Sequence, residues 1–188
     1  QQQVVGEARR FNVVAVGRRA GKTVLGTALC AAPAVLAYPV AWFVPSYRFM
    51  IEVWRETTRL LAPVIARQNA TERRLEFSAG GVLDFWSLDA PDAGRGRRYK
   101  LVIIDEAAFV PALVDAWNYA IRATLADLAG VAWLFSTPKG RNGFWQLWQR
   151  GQDPAEPDWM SWRMPSEVNP LIPPGELARA WAGVVWAR

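Results

Sequence analysis

The chain contains no histidine and a single cysteine, Cys30. It can therefore close no internal disulfide and build no ordinary Cys/His zinc site. A hard cation held by carboxylate, hydroxyl and phosphate oxygens remains open to it. Uninterrupted long apolar runs are also lacking, since AALCAAPAVLAYPVAWFV is broken by Pro33 and Pro39 and charged stretches recur throughout. A membrane span is not expected from such a pattern. No signal peptide opens the chain, which predicts a soluble, intracellular protein. The chain starts at Gln1 without an initiator methionine and stops at Arg188 within a helical-looking stretch, so it reads as a piece of something longer.

What is present bounds the answer further. With 188 residues, 52% of them hydrophobic, the chain can bury one substantial core but is short for two. A single α/β domain over residues 1–188 is expected, with 165–188 as a candidate linker. The formal net charge of +5 suggests an anionic partner, yet charge alone does not separate a nucleotide from a nucleic acid.

The order of apolar runs predicts alternating strands and helices. FNVVAV, from Phe11 to Val16, is short and β-branched, and it leads through a glycine-containing loop into the helical stretch KTVLGTALCAA. VAWFV, from Val40 to Val44, is followed by YRFMIEVWRETTRLLAPVIARQ, read as one helix. Arg73 to Leu88 alternates about Gly80 and Gly81, the pattern of a hairpin at the sheet margin. Leu101 to Ile104 is a buried strand, LVDAWNYAIRATLADLA a helix, VAWLFSTPKG another buried strand with a polar end, and Trp159 to Met164 a last one. Such alternation predicts a mostly parallel sheet, in which Gly17, Asp105 and Ser136 emerge at one carboxyl edge, where ligands collect.

Three motifs there carry chemistry. VGRRAGKT resembles the phosphate-binding pattern G-x-x-x-x-G-K-[ST], but Val16 stands where the first glycine belongs and only Arg18, Arg19 and Ala20 separate Gly17 from Gly21. Gly21, Lys22 and Thr23 still supply what a phosphate cradle needs: backbone N–H groups at a helix start, a lysine for the terminal phosphates and a hydroxyl for magnesium. The plainer alternative is a chance G-K-T before a helix. LVIIDE delivers Asp105 and Glu106 to a strand end, where Asp105 would order Mg2+ and its waters and Glu106 would polarise the water attacking a γ-phosphate. The competing account is two solvated acids. STPKG places the hydroxyls of Ser136 and Thr137 after the next strand, suited to sensing the γ-phosphate and coupling its loss to motion, or to an ordinary turn. The eleven tryptophans mostly lie in apolar or helical patterns and are expected in the core, not as stacking platforms.

Taken in order, VGRRAGKT, VPSYR, RGRRYKLVIIDEAAF, FSTPKGRNGFWQLW and NPLIPP resemble the ATPase domain of the large terminase subunit of tailed bacteriophages and prophages, over nearly the whole chain. In that family the loop commonly lacks the first glycine and carries arginine after the position of Gly17, so the anomaly becomes agreement. The resemblance implies an additional-strand P-loop NTPase fold with the STP strand between the loop strand and the DE strand. It implies ATP as ligand, held at Gly17, Arg18, Arg19, Ala20, Gly21, Lys22 and Thr23, with Thr23 and Asp105 on Mg2+. It assigns adenine recognition to a glutamine, here Gln1. An arginine completing the site is implied too: Arg95, beside Gly96, acting on the neighbouring subunit's ATP, with Arg18 as the rival. It further implies a homo-oligomeric ring translocating double-stranded DNA, with portal protein and small terminase subunit as partners, at the procapsid in the cytoplasm of a bacterial host. Family members carry a C-terminal nuclease, and this chain stops before one, so DNA cleavage is not expected of residues 1–188.

Two other accounts use the same motifs. A superfamily 2 helicase fragment shares GKT, DE and an STP-like motif but needs a second RecA-like domain. A degenerate P-loop module for DNA binding or assembly has no need of intact Lys22, Thr23, Asp105 and Glu106.

Overall fold

A computed structural model describes residues 2–17, 21–90 and 92–164. Its frame is an eight-stranded sheet built from the runs singled out by their apolar character. The short helix α1 (Gln2–Gly6) precedes β1 (Phe11–Val16), α2 (Lys22–Val35), β2 (Pro39–Val44) and α3 (Tyr47–Leu61). Then come β3 (Ile65–Asn69), β4 (Arg74–Phe77), β5 (Val82–Ser87) and β6 (Leu101–Ile104). The described part closes with α4 (Leu113–Ala116), β7 (Val131–Ser136), α5 (Gly143–Arg150) and β8 (Trp159–Met164).

The strand order is β3-β4-β5-β2-β6-β7-β1-β8. From β5 to β8 every neighbouring pair is parallel, while β3-β4 and β4-β5 are antiparallel. β7 therefore lies between β1 and β6, the placement expected for an additional-strand P-loop domain. Continuous apolar runs form these central strands because both faces are covered. Val14, Val16, Trp42 and Ile103 face a core with Leu25 and Cys30 of α2 and Trp54 of α3. Phe11, Val13, Phe43 and Ile104 face the opposite core with Trp117, Ile121 and Leu125. Burial pushes the Cys30 thiol well above its usual range, so it packs as a small apolar group. Of the tryptophans expected mostly in the core, Trp42, Trp54, Trp117, Trp133 and Trp159 are buried, Trp86, Trp145, Trp148 and Trp162 are half-buried, and Trp181 and Trp186 lie outside the described residues.

Two elements depart from the expected pattern. The helix opening at Tyr47 ends at Leu61, not at Gln68; a 3-10 turn at Ala62–Val64 follows, and Ile65–Asn69 pairs with β4 as an edge strand. Pro63 is the cause, since it has no N–H to bond the Arg59 carbonyl and so cannot carry the α-helical ladder past Leu61. The expected hairpin thereby becomes a three-stranded margin. The second helix is not continuous: α4 passes into a π-turn at Trp117–Ile121 and a 3-10 segment at Arg122–Leu125. Trp117 sets that geometry by packing edge-on to Phe11 and Trp159, with ring centroids at 5.1 and 5.4 Å. Periodicity alone does not encode such a constraint.

Among the described residues, no helix is long and apolar enough to cross a membrane.

Candidate nucleotide site

The carboxyl ends of β1, β7 and β6 lie side by side, and the start of α2 faces them. β1 runs out at Gly17, whose N–H donates to the Met164 carbonyl at 2.8 Å. Arg18, Arg19 and Ala20 fall outside the described residues, as does Gln1. The chain re-enters at Gly21 in the left-handed region, φ 77°, and α2 begins at Lys22. Glycine takes that conformation without a Cβ penalty, so Gly21 can turn the chain sharply into the helix. The first backbone N–H groups of α2 then lack intrahelical partners, which makes this end attractive to anions.

Lys22 is the hub. Its Nζ lies 2.8 Å from Glu106 Oε1 and donates to Thr137 Oγ1 at 3.2 Å. Three stretches far apart in sequence thus meet at one ammonium group. The pair is largely enclosed, with side-chain exposures of 13% and 22%; the low-dielectric surroundings strengthen their attraction. Thr23, in the first turn of α2, is half-buried.

Asp105 directly follows β6, with its N–H on the Phe43 carbonyl at 2.9 Å and its carboxylate buried. Its Oδ1 accepts the Glu106 N–H at 2.8 Å. Burial, helped by the Glu106 charge, pushes its pKa up to about 6, against the opposing pull of Lys22 and that backbone bond. A buried carboxylate held reluctantly in its charged form is a group that a cation would relieve. With the Thr23 hydroxyl, the donor set is all oxygen and sparse, which fits magnesium, an ion that keeps several waters and takes its other ligands from phosphates. Among the described residues there is no cluster of three or more His, Cys, Asp or Glu able to hold a metal alone.

Glu106 has φ 48°, a left-handed backbone unusual for a residue with a side chain. Ser136, fully buried, accepts the Ala108 N–H at 3.0 Å, and its hydroxyl faces the Thr137 carbonyl at 3.1 Å and Glu106 Oε2 at 3.5 Å. Lys22, Asp105, Glu106, Ser136 and Thr137 are therefore brought together as the motifs anticipated.

Arg95 is not drawn into this group. It is exposed and paired with Asp92 on its own loop, Nη1 to Oδ1 at 2.7 Å. Gly94 and Gly96 on either side have φ of 75° and 74°, and a Cβ at Gly94 would come within 2.7 Å of the Phe43 ring. Glycine is needed at 94 on both counts.

Sequence reasoning missed two polar features, one beside the site and one in the sheet margin. Asn142 caps α5 and also bonds the segment after Glu106; its position before an apolar helical run is the available signal. Asp84 anchors a buried network, accepting from Arg74 at 2.6 and 3.0 Å and from the Tyr99 hydroxyl at 2.9 Å, while Tyr99 accepts from Trp86. An acid in an alternating strand gives no hint of partners so distant in sequence.

Comparison with known proteins bears on all of this. The family described as "Terminase large subunit, T4likevirus-type, N-terminal" matches residues 13–164. The chain is 31% identical over 159 residues to the terminase large subunit of Escherichia phage T5, covering 81% of this chain and 36% of that protein. It thus spans about a third of the length of that relative. Among solved structures, the large terminase ATPase domain of Thermus phage P74-26 superposes with a TM-score of 0.74 at 21% identity, covering 96% of this chain and 90% of that one. A large terminase from a thermophilic bacteriophage, solved in complex with ADP, superposes with a TM-score of 0.72 at 14% identity, covering 92% and 44%. At these identities the superpositions speak for the fold.

Proposed function

From the premise that the chain belongs to the terminase large-subunit family, N-terminal part, we propose that it is an ATP-hydrolysing motor domain that drives double-stranded DNA into a procapsid. One observation carries the reading: Lys22, Glu106 and Thr137 converge at the start of α2, with Asp105 and Ser136 beside them. That a large terminase of the same fold was solved in complex with ADP supports a nucleotide as the ligand.

In this reading the loop from Gly17 to Thr23, including Arg18, Arg19 and Ala20, wraps the phosphates, and Gln1 contacts adenine. Thr23 and Asp105 hold Mg2+, which when bound neutralises charge on the transferring phosphoryl group. Lys22 now neutralises Glu106, and a γ-phosphate would compete for the same ammonium. Drawing Lys22 away leaves the Glu106 carboxylate to accept hydrogen bonds from the attacking water and polarise it. Ser136 and Thr137 touch Glu106 and Lys22 respectively, so loss of the γ-phosphate is felt first in the stretch after β7. Arg95, exposed on its loop, would complete the site of a neighbour in a homo-oligomeric ring, with Arg18 as the candidate within the same chain. Residues 1–188 form one ATPase domain, with 165–188 leading towards a nuclease domain. Portal protein and small terminase subunit are the further partners, in the bacterial cytoplasm.

Phosphate release measured with and without unrelated linear duplexes tests the function. Hydrolysis should be stimulated alike by different sequences, and the stimulation should fall steeply with salt because arginine-to-phosphate contacts release counterions. No hydrolysis with any duplex, or stimulation by one sequence alone, overturns the reading.

A further inference from the structure

Glu106 is followed by a 3-10 turn, Ala107–Phe109, whose middle residue is gripped on both of its backbone polar groups. The Ala108 N–H donates to Ser136 Oγ at 3.0 Å, and the Ala108 carbonyl accepts from Asn142 Nδ2 at 2.8 Å. The same Asn142 side chain accepts, through Oδ1, from the N–H groups of Phe144 at 3.1 Å and Trp145 at 3.3 Å. Its amide orientation is dictated by this network, because the oxygen must meet two donors and the nitrogen an acceptor. One side chain thus caps α5 and ties that helix to the residue two places beyond Glu106.

The cap alone does not require asparagine. Serine, threonine and aspartate accept from the first turn of a helix as well. Among the favoured capping side chains only asparagine adds an N–H able to hold a carbonyl at the same time. That extra bond falls where positioning is needed: Glu106 sits at φ 48°, a conformation unfavourable for a residue with a Cβ, which persists only when its surroundings impose it. Ala108 is buried, so its carbonyl has no ready substitute partner in solvent, and α5 itself is braced because Gly143 packs tightly against Leu113 and Val114.

We propose that Asn142 is a positioning residue for Glu106: by anchoring Ala108 to the start of α5, it holds the Glu106 carboxylate where it can polarise water, and it carries displacement of the Glu106 turn into α5. This rests on the reading of Glu106 given above. The route continues from α5 into β8, since Ser161 Oγ donates to the Trp148 carbonyl at 2.7 Å and the Trp148 indole donates to the Trp162 carbonyl at 3.1 Å.

Asn142→Asp keeps the acceptor for the cap and has no donor for the Ala108 carbonyl, while Asn142→Ser keeps a single short hydroxyl that serves the cap and cannot at the same time stand where Asn142 Nδ2 meets that carbonyl. In the full chain both should unfold near the parental temperature and keep the parental KM for ATP. Their kcat should fall about 10- to 100-fold, the scale of a misplaced reacting group. A residue serving only as a cap would leave kcat untouched. Parental kcat in both variants overturns the proposal, and if the aspartate variant does not fold, the neutral serine variant decides by itself. Glu106→Gln, measured alongside, separates the two levels. An inactive Glu106→Gln with normal Asn142 variants sinks the positioning role alone, whereas a fully active one overturns the reading of the site and the Asn142 role with it.

Discussion

Lys22 Nζ and Glu106 Oε1 stand 2.8 Å apart, joining the first residue of α2 to the residue that follows Asp105 at the end of β6. Each neutralises the other's charge. In the proposed function the contact pairs the ligand of a terminal phosphate with the group that polarises its attacking water, and an anion competing for the ammonium would release the carboxylate.

That relationship sets opposite expectations for its two members. Glu106→Gln keeps the shape and a hydrogen bond to Lys22 but loses the charge that polarises water, so turnover should fall by roughly 10² to 10⁴ while ATP binding persists. Lys22→Ala removes the phosphate ligand and leaves Glu106 without its partner, so binding itself should be lost. Equilibrium nucleotide titration beside single-turnover hydrolysis distinguishes them; weak ATP binding by Glu106→Gln would contradict the assignment.

Asp105 predicts a pH dependence of stability in magnesium-free buffer. Its folded pKa of about 6 lies above the ordinary value of 3.8. The stabilising preference for the neutral form is therefore complete below about pH 4 and is lost as pH rises through 6, at a cost on the order of 2–3 kcal/mol. Asp105→Asn, still able to accept the Glu106 N–H, removes that cost. Its melting temperature relative to the parent should rise between pH 4 and 7; a constant difference across that range would rule out the raised pKa.

Arg95 is exposed and paired with Asp92 on its own loop, and the proposed function has it serve a neighbouring subunit. Arg95→Ala ought to leave slow monomer hydrolysis unchanged and remove most of the ring-stimulated rate, up to about 10³- to 10⁵-fold. Mixing Arg95→Ala with Glu106→Gln subunits should restore part of it, since each supplies what the other lacks. ATPase rate against mixing ratio, with oligomers verified, is the measurement. No rescue at any ratio, with an undiminished stimulated rate for Arg95→Ala alone, returns the role to Arg18.

Asp84 offers a purely structural test. Its hydrogen bonds raise the Arg74 pKa further, and burial together with the Asp84 charge raises that of Tyr99. Asp84→Ala strands a guanidinium and a phenol and should cost about 3–5 kcal/mol. Urea unfolding measures it, and a loss below about 1 kcal/mol would mean that the network is easily resolvated.

Much of this protein is legible in one dimension because its central strands are buried on both faces, and a strand covered twice must be apolar throughout. β1, β2, β6 and β7 are therefore visible, as are the residues their ends release: Gly17, Asp105, Glu106, Ser136 and Thr137. The edges are harder. β3 carries exposed polar residues and takes its strand form from pairing with β4, so its sequence passes for the tail of α3 unless Pro63 is weighed. The interrupted helix after α4 owes its course to Trp117 packing against Phe11 and Trp159, contacts between residues distant along the chain.

The same division runs through the site. Local sequence determined which chemical groups are delivered and at which strand ends, because a strand's period and a turn's glycine act over a few neighbouring residues. Only the tertiary structure decided that Lys22 meets Glu106, that Glu106 adopts a left-handed backbone, that Asn142 reaches Ala108 and that Asp84 gathers Arg74 and Tyr99. Lys22 meets Glu106 because the parallel order β6-β7-β1 sets three strand ends side by side, whereas Asp84 meets Arg74 across the antiparallel pair β4-β5 and Tyr99 ahead of β6.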